Sequence, residues 1–137
     1  MYSKILVPMA LDHGISPASL AVAEKLCTPG GTIIALHVHE APQGSVTAYL
    51  EEGAVQAGYD RAKAALAEKT AGLPNVTPEI VTGHSARTII DYANSQDIDC
   101  IVIGSHRPGL RDYFLGSTAA RVVRFAKCAV HVQRTSD

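Results

Sequence analysis

The residues with the greatest chemical potential lie late in the chain, in Gly104-Ser105-His106-Arg107-Pro108-Gly109-Leu110-Arg111-Asp112-Tyr113-Phe114-Leu115-Gly116-Ser117-Thr118. This stretch follows the apolar run Cys100-Ile101-Val102-Ile103 and leads into a helical pattern. Gly104, directly after a buried strand, lets a ligand approach the backbone closely. Gly116, Ser117 and Thr118 stand at a helix start, where backbone N–H groups and the helix dipole attract anions. The Ser117 and Thr118 hydroxyls add donors, and Arg107 or Arg111 can pair with phosphate. The same residues also suit an ordinary turn, a cap and solvated arginines. On this chemistry alone, phosphate binding and plain loop structure stand side by side.

Other chemistries are less well supported. There is no Gly-x4-Gly-Lys-(Ser/Thr) phosphate loop, and Met9-Ala10-Leu11-Asp12 follows the first strand in place of Gly-x-Gly-x2-Gly. No Gly-x-Ser-x-Gly elbow exists. His37 and His39 share one strand face and, with His13, His84 or His106, are candidates for a metal, but strand-end histidines are not a closed ligand set. The bland reading, His37 as a satisfied core residue and the others as crevice polar groups, is preferred. His84-Ser85 reads as a turn and a helix cap, not as a base and a nucleophile. His106 can polarise a terminal phosphate, but no dedicated base for water is evident, so any hydrolysis should be slow. Cys27, Cys100 and Cys128 are widely spaced, without a CxxC pair, and read as small buried hydrophobes in a reducing compartment.

These residues need a scaffold. The 137 residues fit one domain over 1–137, 47% hydrophobic and 18% charged, with 2 Phe and no Trp, so the core is built of Val, Ile, Leu and Ala. Lys4–Met9 reads as a buried strand, and Ser16-Pro17 as a cap and first turn of a helix that Pro29-Gly30-Gly31 stops. Thr32–Val38 is a second strand. From Val46 to Ala71 the pattern is helical, irregular as far as Gly58 and firm over Tyr59–Lys69. Val76–Val81, Cys100–Ile103 and Cys128–Val132 are further strands, with helices over Ala86–Ser95 (capped by Ser85) and Thr118–Ala126 (capped by Ser117) between them. Strands alternating with helices imply an open five-stranded parallel sheet with helices on both faces. Ligands of such sheets bind beyond the strands' carboxyl ends, where the strand order reverses, and most of the unusual residues fall on those loops.

The strand Ile5-Leu6-Val7-Pro8, the strand end Leu36-His37-Val38, the Gly83 turn, and Ile101-Val102-Ile103-Gly104-Ser105-His106-Arg107 with Leu115-Gly116-Ser117-Thr118-Ala119-Ala120 resemble the universal stress protein family over essentially the whole chain. The last segment is similar to a single-domain bacterial branch carrying Ser-His-Arg and Leu-Gly-Ser. The resemblance implies a Rossmann-like sheet of order 3-2-1-4-5, a homodimer, and bound ATP or a related adenine nucleotide held by Gly-x2-Gly-x9-Gly-(Ser/Thr). Position by position, Gly104 matches the first motif glycine, and Gly116 and Ser117 match its end. Val38 and Ile103 match positions flanking the adenine, and Pro8 the loop proline. Two departures stand out. Arg107 replaces the second motif glycine, with one residue fewer before Gly116; Gly109 is placed to supply the missing flexibility and Arg107 a phosphate contact. Ala10 replaces the family's aspartate, with Asp12 two residues further on as its substitute.

The leading expectation is an adenine-nucleotide-binding regulatory protein of the stress response. Its site comprises Pro8, Met9, Ala10, Asp12, Val38, Ile103, Gly104, His106, Arg107, Gly109, Gly116, Ser117 and Thr118, with magnesium accompanying the phosphates. One alternative is a nucleotide-free homodimeric interaction module, pairing through the edge strand Ala129–Val132; another is a slow ATPase. The net charge of −1 argues against nucleic acid, and the lack of a long apolar run argues against a membrane span or signal peptide, so a cytoplasmic location is expected.

Overall fold

The computed structural model describes residues 1–11, 16–40, 52–105 and 116–134. In chain order the elements are β1 (Tyr2–Pro8), α1 (Ser16–Leu26), β2 (Cys27–His39), α2 (Glu52–Thr70), β3 (Val76–Thr82), α3 (Ser85–Ser95), β4 (Cys100–Gly104), α4 (Ser117–Phe125) and β5 (Ala129–Gln133). The five strands form one parallel sheet in the order β3-β2-β1-β4-β5. Both architecture and strand order are those expected.

Alternation along the buried strands divides the core into two layers. Ile5, Val7, Ile33, Ala35, Cys100 and Val102 pack on one face with Leu20 and Ala23 of α1 and Leu66 of α2. Leu6, Ile34, Leu36, Ile101 and Ile103 pack on the other with Ile89 and Ala93 of α3 and Ala119 and Val122 of α4. The helix following β1 and the helix following β4 therefore cover opposite faces. That divergence is the strand-order reversal at which open sheets bind ligands.

β1 and β4 are held together at their amino ends. Asp99 Oδ2 accepts hydrogen bonds from the Ser3 amide (2.8 Å), the Ser3 hydroxyl (2.7 Å) and the Lys4 amide (3.1 Å). The Asp99 amide donates back to the Lys4 carbonyl at 2.8 Å. The Ser3 hydroxyl and the two amides favour the ionised carboxylate and hold it below the usual aspartate range.

Several element boundaries differ from those the sequence suggests. Pro29-Gly30-Gly31 lies within β2, not in a turn that ends a helix. Between the pairs Tyr2↔Cys27 and Lys4↔Thr32, β1 advances two residues and β2 five, so β2 bulges there. Gly30 takes φ +83°, and a Cβ on Gly31 would lie 2.8 Å from the Ser3 carbonyl oxygen. Both glycines thus serve the bulge. The second helix reaches back to Glu52 through Gly53 and Gly58, beyond the expected firm start at Tyr59. The cap of α3 is His84, and that of α4 is Gly116, each one residue before the serine expected there. Cys100 is buried, while Cys27 and Cys128 are half-buried, and all three are free thiols. Burial pushes the Cys100 thiol up to about 11, so it is protonated and unreactive at neutral pH.

Ile101 is fully buried in the central strands. Ile101→Ala should lower unfolding free energy by about 2–5 kcal/mol, measured by urea denaturation. The Asp99 contribution has a defined sign: with its folded pKa depressed, it is present above the unfolded value and lost as pH falls through the folded one. Asp99→Asn should therefore lower the melting temperature at neutral pH. The gap from wild type should narrow below about pH 4 in melts run across a pH series.

Candidate functional site

β1 bonds to its two neighbours over different lengths. With β2 the register runs from Lys4↔Thr32 to Pro8↔Leu36. With β4 it consists of Ile5↔Cys100 and Leu6↔Ile101. β4 meanwhile stays paired with β5 up to Gly104↔Gln133, and the Ser105 amide extends that ladder to the Gln133 carbonyl at 3.1 Å. The sheet thus opens between β1 and β4 beyond Leu6 and Ile101. Pro8, Met9 and Ala10 line one side of the opening, and Ile103, Gly104 and Ser105 the other.

The crossover topology places a helix start above each side. A helix that connects two parallel strands runs antiparallel to them, so its amino terminus lies at the carboxyl ends of the strands. At α4 the cap is Gly116, with φ +86° and ψ 148°. Its carbonyl accepts from the Ala120 amide at 3.0 Å, as the first helical bond requires. The amides of Ser117, Thr118 and Ala119 precede that bond and have no intrahelical acceptor. A glycine cap has no side chain to accept from them. A Cβ at Gly116 would meet nothing within 4 Å, so the demand for glycine here is one of backbone angle.

α3 begins on the same face of the sheet, but its amino terminus is filled from within. Oε1 of Glu40, just past β2, accepts from the Ser85 amide at 3.0 Å and the Ser85 hydroxyl at 3.1 Å. These two bonds lower the Glu40 pKa. Ser85, expected as the cap, instead donates its hydroxyl to this borrowed carboxylate. The turn before it is tied to β2 by the Gly83 amide, which donates to the His39 carbonyl at 3.2 Å. Any Cβ on Gly83 would collide with the Thr88 hydroxyl, so this turn requires glycine for space.

The expected site residues divide by role. Ala10 and Ser117 are exposed, and Pro8, Val38, Gly104, Gly116 and Thr118 are half-buried. Met9 and Ile103 are buried in opposite core layers, so each meets the opening chiefly through its backbone. Val38 packs beside Ile103 in the α3/α4 layer. Asp12, His106, Arg107 and Gly109 lie outside the described residues. Two residues were not singled out for the site by sequence reasoning. Glu40 has no motif to mark it. His37 was read as a core residue; its Nδ1 lies 3.0 Å from the Met9 carbonyl oxygen. Among the described residues no group of three or more His, Cys, Asp or Glu could hold a metal ion.

A splayed strand pair beneath a glycine-led helix start matches the motif positions Gly104 and Gly116-Ser117. The universal stress protein family model matches residues 1–134. The chain belongs to the universal stress protein family. A universal stress protein from Methanothermobacter thermautotrophicus is 29% identical, the match covering 98% of this chain and 97% of that one. The solved structure of universal stress protein UspA from Lactobacillus plantarum is 29% identical, with a TM-score of 0.79 and 97% and 98% of the two chains covered. Two more distant members share the fold. A universal stress protein solved in complex with cAMP has a TM-score of 0.73 at 21% identity, covering 98% of this chain and 99% of that one. One from Archaeoglobus fulgidus solved in complex with dAMP has a TM-score of 0.62 at 19% identity, covering 96% and 97%.

The backbone at Gly116 can be tested without a ligand. Gly116→Val should destabilise the chain by about 1–2 kcal/mol, because φ +86° is strained for a β-branched residue. Gly116→Asn should cost less, since asparagine tolerates that region. Chemical denaturation of both variants checks the order.

Proposed function

We propose that this chain is a single-domain, cytoplasmic regulator of the stress response that binds an adenine nucleotide between the parted ends of β1 and β4. The observation that carries the reading is this opening beneath the Gly116-led start of α4, where amides without an intrahelical acceptor await an anion. The family's cAMP and dAMP complexes support an adenine nucleotide as the ligand. In this reading Gly104, Gly116, Ser117 and Thr118 receive the phosphates, with His106, Arg107 and Gly109 from the intervening loop. Pro8, Met9, Ala10, Asp12, Val38 and Ile103 enclose the base and ribose. Magnesium, where present, rides on the phosphates of ATP. No residue is assigned as a base for water, so hydrolysis is at most slow.

A second reading, an interaction module with a lost site, draws on the far edge of the sheet. β5 is an edge strand, and beside it Val123 and Phe125 of α4 are 45% and 56% exposed. Pairing of two copies along β5 is compatible with both readings. Among the described residues no helix is long and apolar enough to cross a membrane.

The deciding measurement is the small-molecule content of freshly purified protein, released by acid and identified by mass. Close to one adenine nucleotide per chain is expected, and its phosphate count reports on hydrolysis. Added ATP, ADP or AMP should raise the melting temperature of the emptied protein, and Gly116→Val should abolish the shift. Absence of both nucleotide and shift would favour the interaction module.

A further inference from the structure

Gly58 lies inside α2, and its φ is not among the positive ones of the described chain. A glycine in a helix interior is destabilising against alanine. The packing does not require it here. A Cβ at Gly58 would meet its nearest neighbours, Nη2 of Arg61 and Cε1 of His39, at 3.8 Å each, an ordinary van der Waals contact. Alanine would therefore fit. The glycine leaves a shallow recess between a guanidinium and an imidazole.

Neither group beside the recess is matched by an acceptor. Arg61 follows Gly58 by three residues, and its side chain leans back over it, as the geometry of helical side chains favours. Arg61 is exposed and, among the described residues, makes no ion pair and no hydrogen bond. The adjacent Asp60 accepts instead from Nε2 of Gln56 at 3.0 Å. His39, at the end of β2, is half-buried, with its ring edge-on to Tyr59 at 85° and 5.7 Å between centroids. Among the described residues neither ring nitrogen of His39 has a hydrogen-bond partner. Cε1 is bonded to both nitrogens, so whichever carries the proton lies near the recess. Two donors converging on one small space suit an oxygen of an anion, and the guanidinium fork matches the geometry of phosphate.

We infer that Arg61, His39 and the recess at Gly58 form an oxyanion site that takes a phosphate group. It uses none of the residues assigned to the crevice between β1 and β4, and it is independent of the nucleotide reading. The test titrates inorganic phosphate into the full chain at constant ionic strength, with chloride as the control. The ¹⁵N resonances of the residue 58 amide and of Arg61 Nε report binding. Phosphate should shift both saturably in the wild type, and chloride should not. Gly58→Ala should melt at a higher temperature than the wild type, because alanine favours the helix, yet lose the saturable shift at Arg61. Arg61→Gln should weaken phosphate binding at least about tenfold, the worth of one hydrogen bond to a charged group.

AMP added to the phosphate-loaded wild type identifies the source of the phosphate. Shifts that persist mark free phosphate as the ligand, and displacement marks the phosphate of the nucleotide; the site is upheld by either. A wild type without saturable shifts, an equal response to chloride, or a Gly58→Ala variant that binds as the wild type does overturns the site. Each of those results leaves the nucleotide reading standing.

Discussion

The two edges of β1 carry different loads, and the rest of the structure follows from that inequality. Its β2 edge is paired as far as Pro8, whereas its pairing with β4 ends at Leu6. A central strand normally satisfies its backbone on both sides. Here α1 and α4 lie on opposite faces of the sheet. The Asp99 carboxylate closes the other end of the β1–β4 pair through Ser3 and Lys4. The sheet is therefore clasped at its amino ends and open at its carboxyl ends, with Leu6 and Ile101 as the last pair between.

The same economy separates two helix starts on one face. α3 receives the Glu40 carboxylate, so the charge complementing its dipole comes from inside the chain. α4 is led by a glycine, which has no side chain with which to cap it. The second arrangement leaves the first amides of α4 without a capping side chain from the residue that leads them. Glu40 does more than cap a helix, because it also joins the end of β2 to the start of α3. Together with the bond from the Gly83 amide to His39, it stiffens the β2/β3 end of the sheet, away from the opening.

Much of the architecture was legible because hydrophobic periodicity and glycine chemistry are local. The runs around Ile5, Ile33, Cys100 and Val130 mark buried strands, and the helical spacing of Ile89 and Ala93 marks the helix between. Gly104 and Gly116 stand out by type alone. The same local reasoning misplaced the boundary at Pro29-Gly30-Gly31. A turn and a strand bulge both ask for glycine, and only the approach of Ser3 from the neighbouring strand distinguishes them. It also named Ser85 and Ser117 as caps, where the chain begins each helix one residue earlier. A serine hydroxyl reads as a cap until a distant carboxylate, such as that of Glu40, offers a better partner.

The sequence by itself determined the fold class, the order of elements, helices on both faces of the sheet and the glycines at the strand ends, since each depends on residues near one another in the chain. Tertiary structure alone decided where β1 and β4 part, that Asp99 reaches back to Ser3, that Glu40 serves α3, and that His37 holds Met9. These bonds join residues 28 to 96 positions apart. No periodicity encodes such a pairing. It exists only once the sheet has brought a polar group within reach of a donor or acceptor that its own strand leaves without a partner.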